Sequence, residues 1–152
     1  MYNINSLTMF SKIIRSDNDV ATLLIRLMVG IVFLSEGIQK FLFADELGAG
    51  RLAKIGLPNP DFLGPFVGSF EIVCGTLVLI GLLTRLAAIP LLIIMLVSIA
   101  TTKVELLSDN GFWPMLHDSR TDWSMLLGSI FLIIKGGGRW SVDKQIEKQK
   151  WK

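Results

Sequence analysis

Apolar residues gather into four stretches, 20–43, 62–83, 86–102 and 123–134, with charge, glycine and proline collected between them. A bilayer core takes about 20 apolar residues in a helix. The first two stretches meet that length, the third nearly does, and the fourth ends early at Lys135. Lysine snorkels to an interface, and Trp123 and Trp140 stand where interfacial anchors belong, so the fourth also reads as a span. The pattern predicts an all-α protein, a membrane four-helix bundle.

The connecting segments add detail. In the lead-in, 1–19, Leu7, Met9, Phe10, Ile13 and Ile14 make a loose apolar face beside Lys12 and Arg15, the outline of an interfacial helix. No small-residue cleavage site follows the first apolar run, so no removable signal peptide is expected. Asp17, Asn18 and Asp19 supply start signals for the first span. Segment 44–61 reads as a loop with a short interfacial helix at 51–55, and Asp61 as the cap of the second span, with Pro65 in its first turn. Only Thr84 and Arg85 separate the second and third spans, which makes them antiparallel neighbours. Segment 103–122 is polar and aromatic, holds the only histidine, His117, and closes one face of the bundle; Thr121 or Asp122 then caps the fourth span. The membrane domain is 20–143, followed by a basic tail, 144–152.

Charges inside the spans have a phase. A carboxylate in hydrocarbon costs roughly 2.5 to 3.5 kcal/mol, so Glu71, the one charge in the second span, must face protein. At 100° per residue it shares an arc of about 60° with Gly64, Gly68 and Gly75, a stripe on which another helix can come close. In the first span Arg26, Gly30, Phe33, Glu36, Gly37 and Lys40 share about 120°. The two stripes are expected to meet, with Glu71 opposite Arg26 or Lys40. Glu36, four residues before Lys40, is a further partner.

Composition narrows the class. With 51% hydrophobic and 18% charged residues and a mean hydropathy of +0.57, the chain is far more apolar than a soluble domain. A net charge of +2, with basic residues in flanks rather than in a patch, excludes nucleic acid as a partner. The lone cysteine, Cys74, rules out an intramolecular disulfide or a C-x-x-C relay and reads as a small buried hydrophobe. One cysteine and one histidine make no metal or haem ligand set, so no metal is expected. Nine basic residues, Lys12, Arg15, Arg85, Lys135, Arg139, Lys144, Lys148, Lys150 and Lys152, fall on one side of the membrane, against four, Arg51, Lys54, Lys103 and Arg120, on the other. Both termini are therefore expected in the cytoplasm, in a bacterial-type inner membrane.

Three motifs recur in order: R-L-x-x-G-x-x-F-x-x-x-G-x-x-K at 26–40, E-I-V-C-G-T-L-V-L-I-G-L-L-T-R at 71–85, and G-G-G-R-W-S-V-D at 136–143. In that order and spacing the sequence resembles the DoxX family of small four-helix membrane proteins, from Arg26 to Asp143. The resemblance implies a multi-pass membrane protein. For some members of the family it implies quinone-coupled oxidation of sulfur compounds or association with membrane oxidoreductase complexes. Whether this chain is itself an enzyme stays open; the cofactor the resemblance admits is a quinone, with partner subunits supplying the rest of any redox path.

Three functional classes fit these residues. In the first, the chain is a quinone- or small-ligand-binding subunit of an oxidoreductase complex. Arg26, Glu36, Lys40 and Glu71 then form a buried charged cluster, and Trp113, His117 and Asp118 lie near its outer opening. In the second it is a small-molecule or proton-coupled transporter, which four helices without an inverted repeat would build only as a homo-oligomer. In the third it is a non-catalytic scaffold whose charges fix helix register. The lipid bilayer is a partner in all three.

Overall fold

The computed structural model describes residues 13–150; Leu7, Met9, Phe10 and Lys12 of the expected interfacial helix lie outside them. Among the described residues the chain is helical, without strands. Helix α1, Thr22–Leu42, is followed by two short helices, α2, Ala44–Leu47, and α3, Ala49–Lys54, so most of the segment expected as loop is helical. Helix α4, Pro60–Ile80, starts on a proline, whose missing amide would have no intrahelical partner there. It starts two residues earlier than expected because Asn59 turns the chain in a left-handed conformation. Asp61 thus lies within the first turn instead of capping it, and Pro65 lies inside the helix. The helix stops at Gly81, whose φ of 73° glycine adopts without steric cost.

Helix α5, Thr84–Ser98, runs through a π-helical segment, Ile99–Lys103, into α6, Val104–Asn110. The bulge has a local cause. Thr101 Oγ1 and Thr102 Oγ1 donate to the carbonyls of Val97 and Ser98 at 2.8 and 2.7 Å, competing with the amides that would otherwise close the helix there. Helices α7, Phe112–Asp118, α8, Arg120–Lys135, and α9, Val142–Lys150, complete the chain. Helix α8 already begins at Arg120, and neither Thr121 nor Asp122 caps it; Asp122 is drawn instead toward Lys103.

Among the described residues, three helical segments are long and apolar enough to cross a membrane: Thr22–Leu42, Pro60–Ile80 and the continuous Thr84–Asn110. At 16 residues, α8 is about 24 Å long, short of a hydrocarbon core. The long helices nevertheless touch in cyclic order, α1 on α4, α4 on α5, α5 on α8 and α8 back on α1. They enclose Val29, Phe33, Cys74, Val78, Ala88, Leu91, Met125 and Leu132. Their outer faces stay apolar, with Leu24, Ile93 and Leu127 more than half exposed, a surface that suits lipid rather than water.

The two ends of the molecule differ. At one, here called the termini end, the last lead-in residues are anchored: Ile14 and Ser16 are buried, the Asp17 amide donates to the Lys135 carbonyl at 3.0 Å, and the Gly137 amide donates to Ser16 Oγ at 3.1 Å. The α4–α5 turn and the start of α9 share this end. The far end carries α2, α3, α6 and α7.

Candidate functional site

The α1–α4 contact is built on glycines. A Cβ on Gly37 would sit 2.8 Å from the Gly68 carbonyl oxygen and 2.9 Å from Glu71 Cβ, and one on Gly75 would sit 3.1 Å from the Gly30 carbonyl oxygen. The backbones therefore approach closely enough to bury what lies between them. Lys40 Nζ lies 2.7 Å from Glu71 Oε2 and 3.9 Å from Glu36 Oε2. The side chains are 13%, 2% and 47% exposed for Lys40, Glu71 and Glu36, so the carboxylate is sealed and the lysine nearly so. Arg51, exposed on α3, acts on the same carboxylate at longer range.

Lys40 is the one cation in ion-pair contact with Glu71 among the described residues, and no backbone amide or hydroxyl there hydrogen-bonds to Glu71 Oε2. Glu36 is beyond hydrogen-bond reach of the ammonium. A lysine carries three donors, and of the two carboxylates near Lys40 only Glu71 stands within hydrogen-bond distance. Burial makes it costly to leave the pair's remaining hydrogen-bonding capacity unfilled.

Arg26 does not join this cluster. It lies at the termini end, where its guanidinium binds backbone carbonyls: Nε donates to Val78 at 2.9 Å, Nη2 to Leu79, and Nη1 to Gly137 at 3.1 Å and Trp140 at 2.7 Å. These are the last carbonyls of α4 and those of the glycine-rich loop before α9. A cation there also complements the negative end of the α4 dipole. Asp143 completes the arrangement from the other side, as Oδ1 accepts from the Leu83 amide at 2.7 Å and Oδ2 from the Thr84 amide and hydroxyl, both at 2.9 Å. The charged ends of the family-like motifs at 26 and 143 are thus structural fasteners with their partners in place.

Of the far-end residues, Trp113 is 75% exposed. His117 Nε2 accepts from Arg120 Nη1 at 2.6 Å, and Asp118 Oδ2 accepts from Lys103 Nζ at 3.0 Å. None of the three makes a hydrogen bond or ion pair with Lys40 or Glu71 among the described residues. Lys103 also reaches Asp122 Oδ2 at 3.2 Å, so one lysine ties α7 and α8 to the π-helical segment. The sequence alone did not point to this clamp, although a carboxylate pair four residues apart, downstream of the lysine that ends the third apolar run, was a usable signal. The hydrogen bond from Lys103 holds the Asp118 carboxyl below its ordinary value.

Comparison with known proteins agrees with the membrane architecture. A DoxX family model matches residues 21–104, from the start of α1 past the π-helical segment. An uncharacterized membrane protein of Mycobacterium tuberculosis is 51% identical over 144 residues, covering 91% of this chain and 88% of its own. A Bacillus subtilis protein, "Putative oxidoreductase CatD", is 29% identical over 132 residues, covering 87% of this chain and 91% of its own. No solved structure matches. With the matched region spanning α1, the Lys40–Glu71 pair and the whole of α5, this membrane protein belongs to the DoxX family.

Proposed function

We propose that this chain is a four-crossing inner-membrane subunit of an oxidoreductase assembly that binds a quinone-class ligand beside Lys40 and Glu71, with both termini in the cytoplasm. The observation that carries this is the contrast between two buried charged sites. Around Arg26 and Asp143 four backbone carbonyls and two amides are engaged. At Lys40–Glu71 the 2.7 Å ion pair is the one close polar contact of either charge among the described residues, which leaves hydrogen-bonding capacity on both groups. A structural lock would be expected to fill that capacity; a site for a ligand leaves it open.

The residues fit the group. A ring carbonyl offers an acceptor for Lys40, and Glu71 can hold or release a proton beside it. A bound quinone supplies acceptance of two electrons and two protons. Lys40 would orient the head group, Glu71 would carry the proton at Oε2, and the close α1–α4 contact would keep water from the pair. Similarity to a relative whose name carries an oxidoreductase designation supports a redox setting. Apolar side chains on the outward face of α8, Leu127 and Ile134, support its crossing the bilayer as well.

The test is mass spectrometry of small molecules extracted from gently purified protein, wild type beside Lys40→Met. A quinone-class molecule retained by the wild type and lost from the variant is the expected result. Equal amounts in both, or none in either, would remove the ligand site and leave the charges as a register lock in a scaffold.

A further inference from the structure

We propose that Glu36 is the proton port of the Lys40–Glu71 pair, exchanging protons between the aqueous phase at the far end and the buried carboxylate. This rests on reading that pair as a chemical site. Exposure falls from Glu36 through Lys40 to Glu71, from 47% to 13% to 2%, across separations of 3.9 and 2.7 Å. Three groups in that order form a path from an accessible carboxylate to a sealed one. One bridging water or one rotation of the Lys40 side chain covers the longer gap.

Helix geometry explains why Glu36 is the accessible member. Taking Lys40 as zero, Glu36 falls near −40°, Val29 near −20° and Ile25 near −60°, so all lie on one face of α1. Nearer the termini end that face is closed by α8, because a Cβ on Gly128 would lie 2.5 Å from Val29 and 3.9 Å from Ile25. At the level of Glu36 the same face is half open. Glu36 thus lies beyond the part of this face that Gly128 of α8 covers.

The charge count favours uptake of one proton. Two carboxylates and one ammonium carry a net charge of −1, and one added proton makes the set neutral, the cheaper state in a poorly solvated place. In the transfer, a hydronium ion protonates Glu36 and leaves as water, Lys40 Nζ gives a proton to Glu71 Oε2, and Glu36 passes its proton on to Lys40 and returns to the carboxylate. Lys40 ends as it began, no electrons move, and one proton passes from the aqueous phase to Glu71. The charged groups acting on Glu71 are Lys40 and Glu36 from α1 and Arg51 from α3. Exposed Arg51 marks the competing route, past the α2–α3 segment.

The experiment follows the Glu71 carboxyl by infrared spectroscopy after a pH jump, using full-length protein in lipid nanodiscs with the band assigned by its loss in Glu71→Gln. The port predicts that Glu36→Gln slows the Glu71 response about a hundredfold. Glu36→Asp should keep it near the wild-type rate, and Arg51→Gln should leave it unchanged. A wild-type rate in Glu36→Gln overturns the proposal, as does a Glu71 band that never responds between about pH 4 and 9. Ligand retention, measured on the same samples, separates the two readings. Slowed exchange with no ligand found keeps the port and defeats the ligand site; retained ligand with unslowed exchange does the reverse.

Discussion

Arg26 and Asp143 grip the α4–α5 turn from opposite sides. The guanidinium takes the carbonyls of Val78 and Leu79 at the end of α4, and the carboxylate takes the amides of Leu83 and Thr84 at the start of α5. Between them lies Gly81, where a Cβ would stand 2.6 Å from Arg26 Cζ. Helix ends leave groups without intrahelical partners, and here two buried charges supply them where water is scarce.

Removing the cation should therefore be severe. Arg26→Met leaves buried carbonyls without donors, each worth about 1 to 3 kcal/mol, so a loss of about 3 kcal/mol or more is expected in thermal unfolding in detergent. Arg26→Lys should not rescue it, because an ammonium lacks the planar fork that reaches several carbonyls at once. A variant as stable as the wild type would show that these contacts do not hold the turn.

The glycine contact allows a graded test. Gly37→Ala places a methyl group 2.8 Å from the Gly68 carbonyl oxygen and against Glu71 Cβ, so α1 and α4 must separate. Overpacking of this kind costs about 1 to 3 kcal/mol. The same separation lengthens the Lys40–Glu71 contact, so ligand retention should fall along with the melting temperature.

Much of this was legible before any coordinates. Hydrophobic length and phase located the helices, and the glycine stripes identified the α1–α4 contact. What a helical wheel omits is depth: Arg26 and Lys40 share a face but stand about 21 Å apart along the axis. The structure supplies the depth by setting Gly30 against Gly75 and Gly37 against Gly68, which puts Glu71 level with Leu34. Side chains lean toward their helix N-terminus, so in antiparallel helices Lys40 and Glu71 lean toward each other while Arg26 leans away. The Lys103 clamp was harder to see. It depends on a π-helical segment that resets the phase of everything after Ile99, and hydrophobic periodicity does not report such a change.

The clamp carries a pH expectation. The Asp118 carboxyl is held below its ordinary value near 3.8, first by the hydrogen bond from Lys103. A depressed folded-state value means that its contribution is present above the unfolded value and lost as pH falls through the folded one. Hydrogen exchange of residues 104–118, corrected for intrinsic rates, should therefore stay constant from about pH 8 to 5. Loosening should begin only below about pH 4. Loosening at pH 6 would mean that another group governs the clamp.

The charge asymmetry predicts the membrane orientation. With Cys74 replaced by alanine, single cysteines at residues 45 and 58 should react with an impermeant thiol reagent from outside the cell, and one at residue 148 only after the membrane is opened. Labelling of residues 45 and 148 from the same side would contradict an even number of crossings, and the short α8 would then be the helix that fails to span.

Architecture and activity at Lys40–Glu71 separate through a double-variant cycle, because removing one buried charge and removing both have opposite consequences. Glu71→Gln keeps the shape of the side chain but leaves Lys40 facing a neutral amide, with Glu36 at 3.9 Å as its remaining carboxylate. Breaking a buried pair in this way costs about 3 to 5 kcal/mol when the site is dry, toward the lower end here because Glu36 compensates in part. Adding Lys40→Met removes the stranded cation and fills its path with an apolar chain, so much of the lost stability should return. A register lock requires nothing more, and such a double variant would then work as well as the wild type. A site that moves a proton or holds a head group cannot survive the exchange: the double variant should insert, melt near the wild-type temperature and retain no ligand. Melting curves and ligand retention measured on the same four proteins decide between them, and full retention in the double variant would leave Lys40 and Glu71 as a fastener alone.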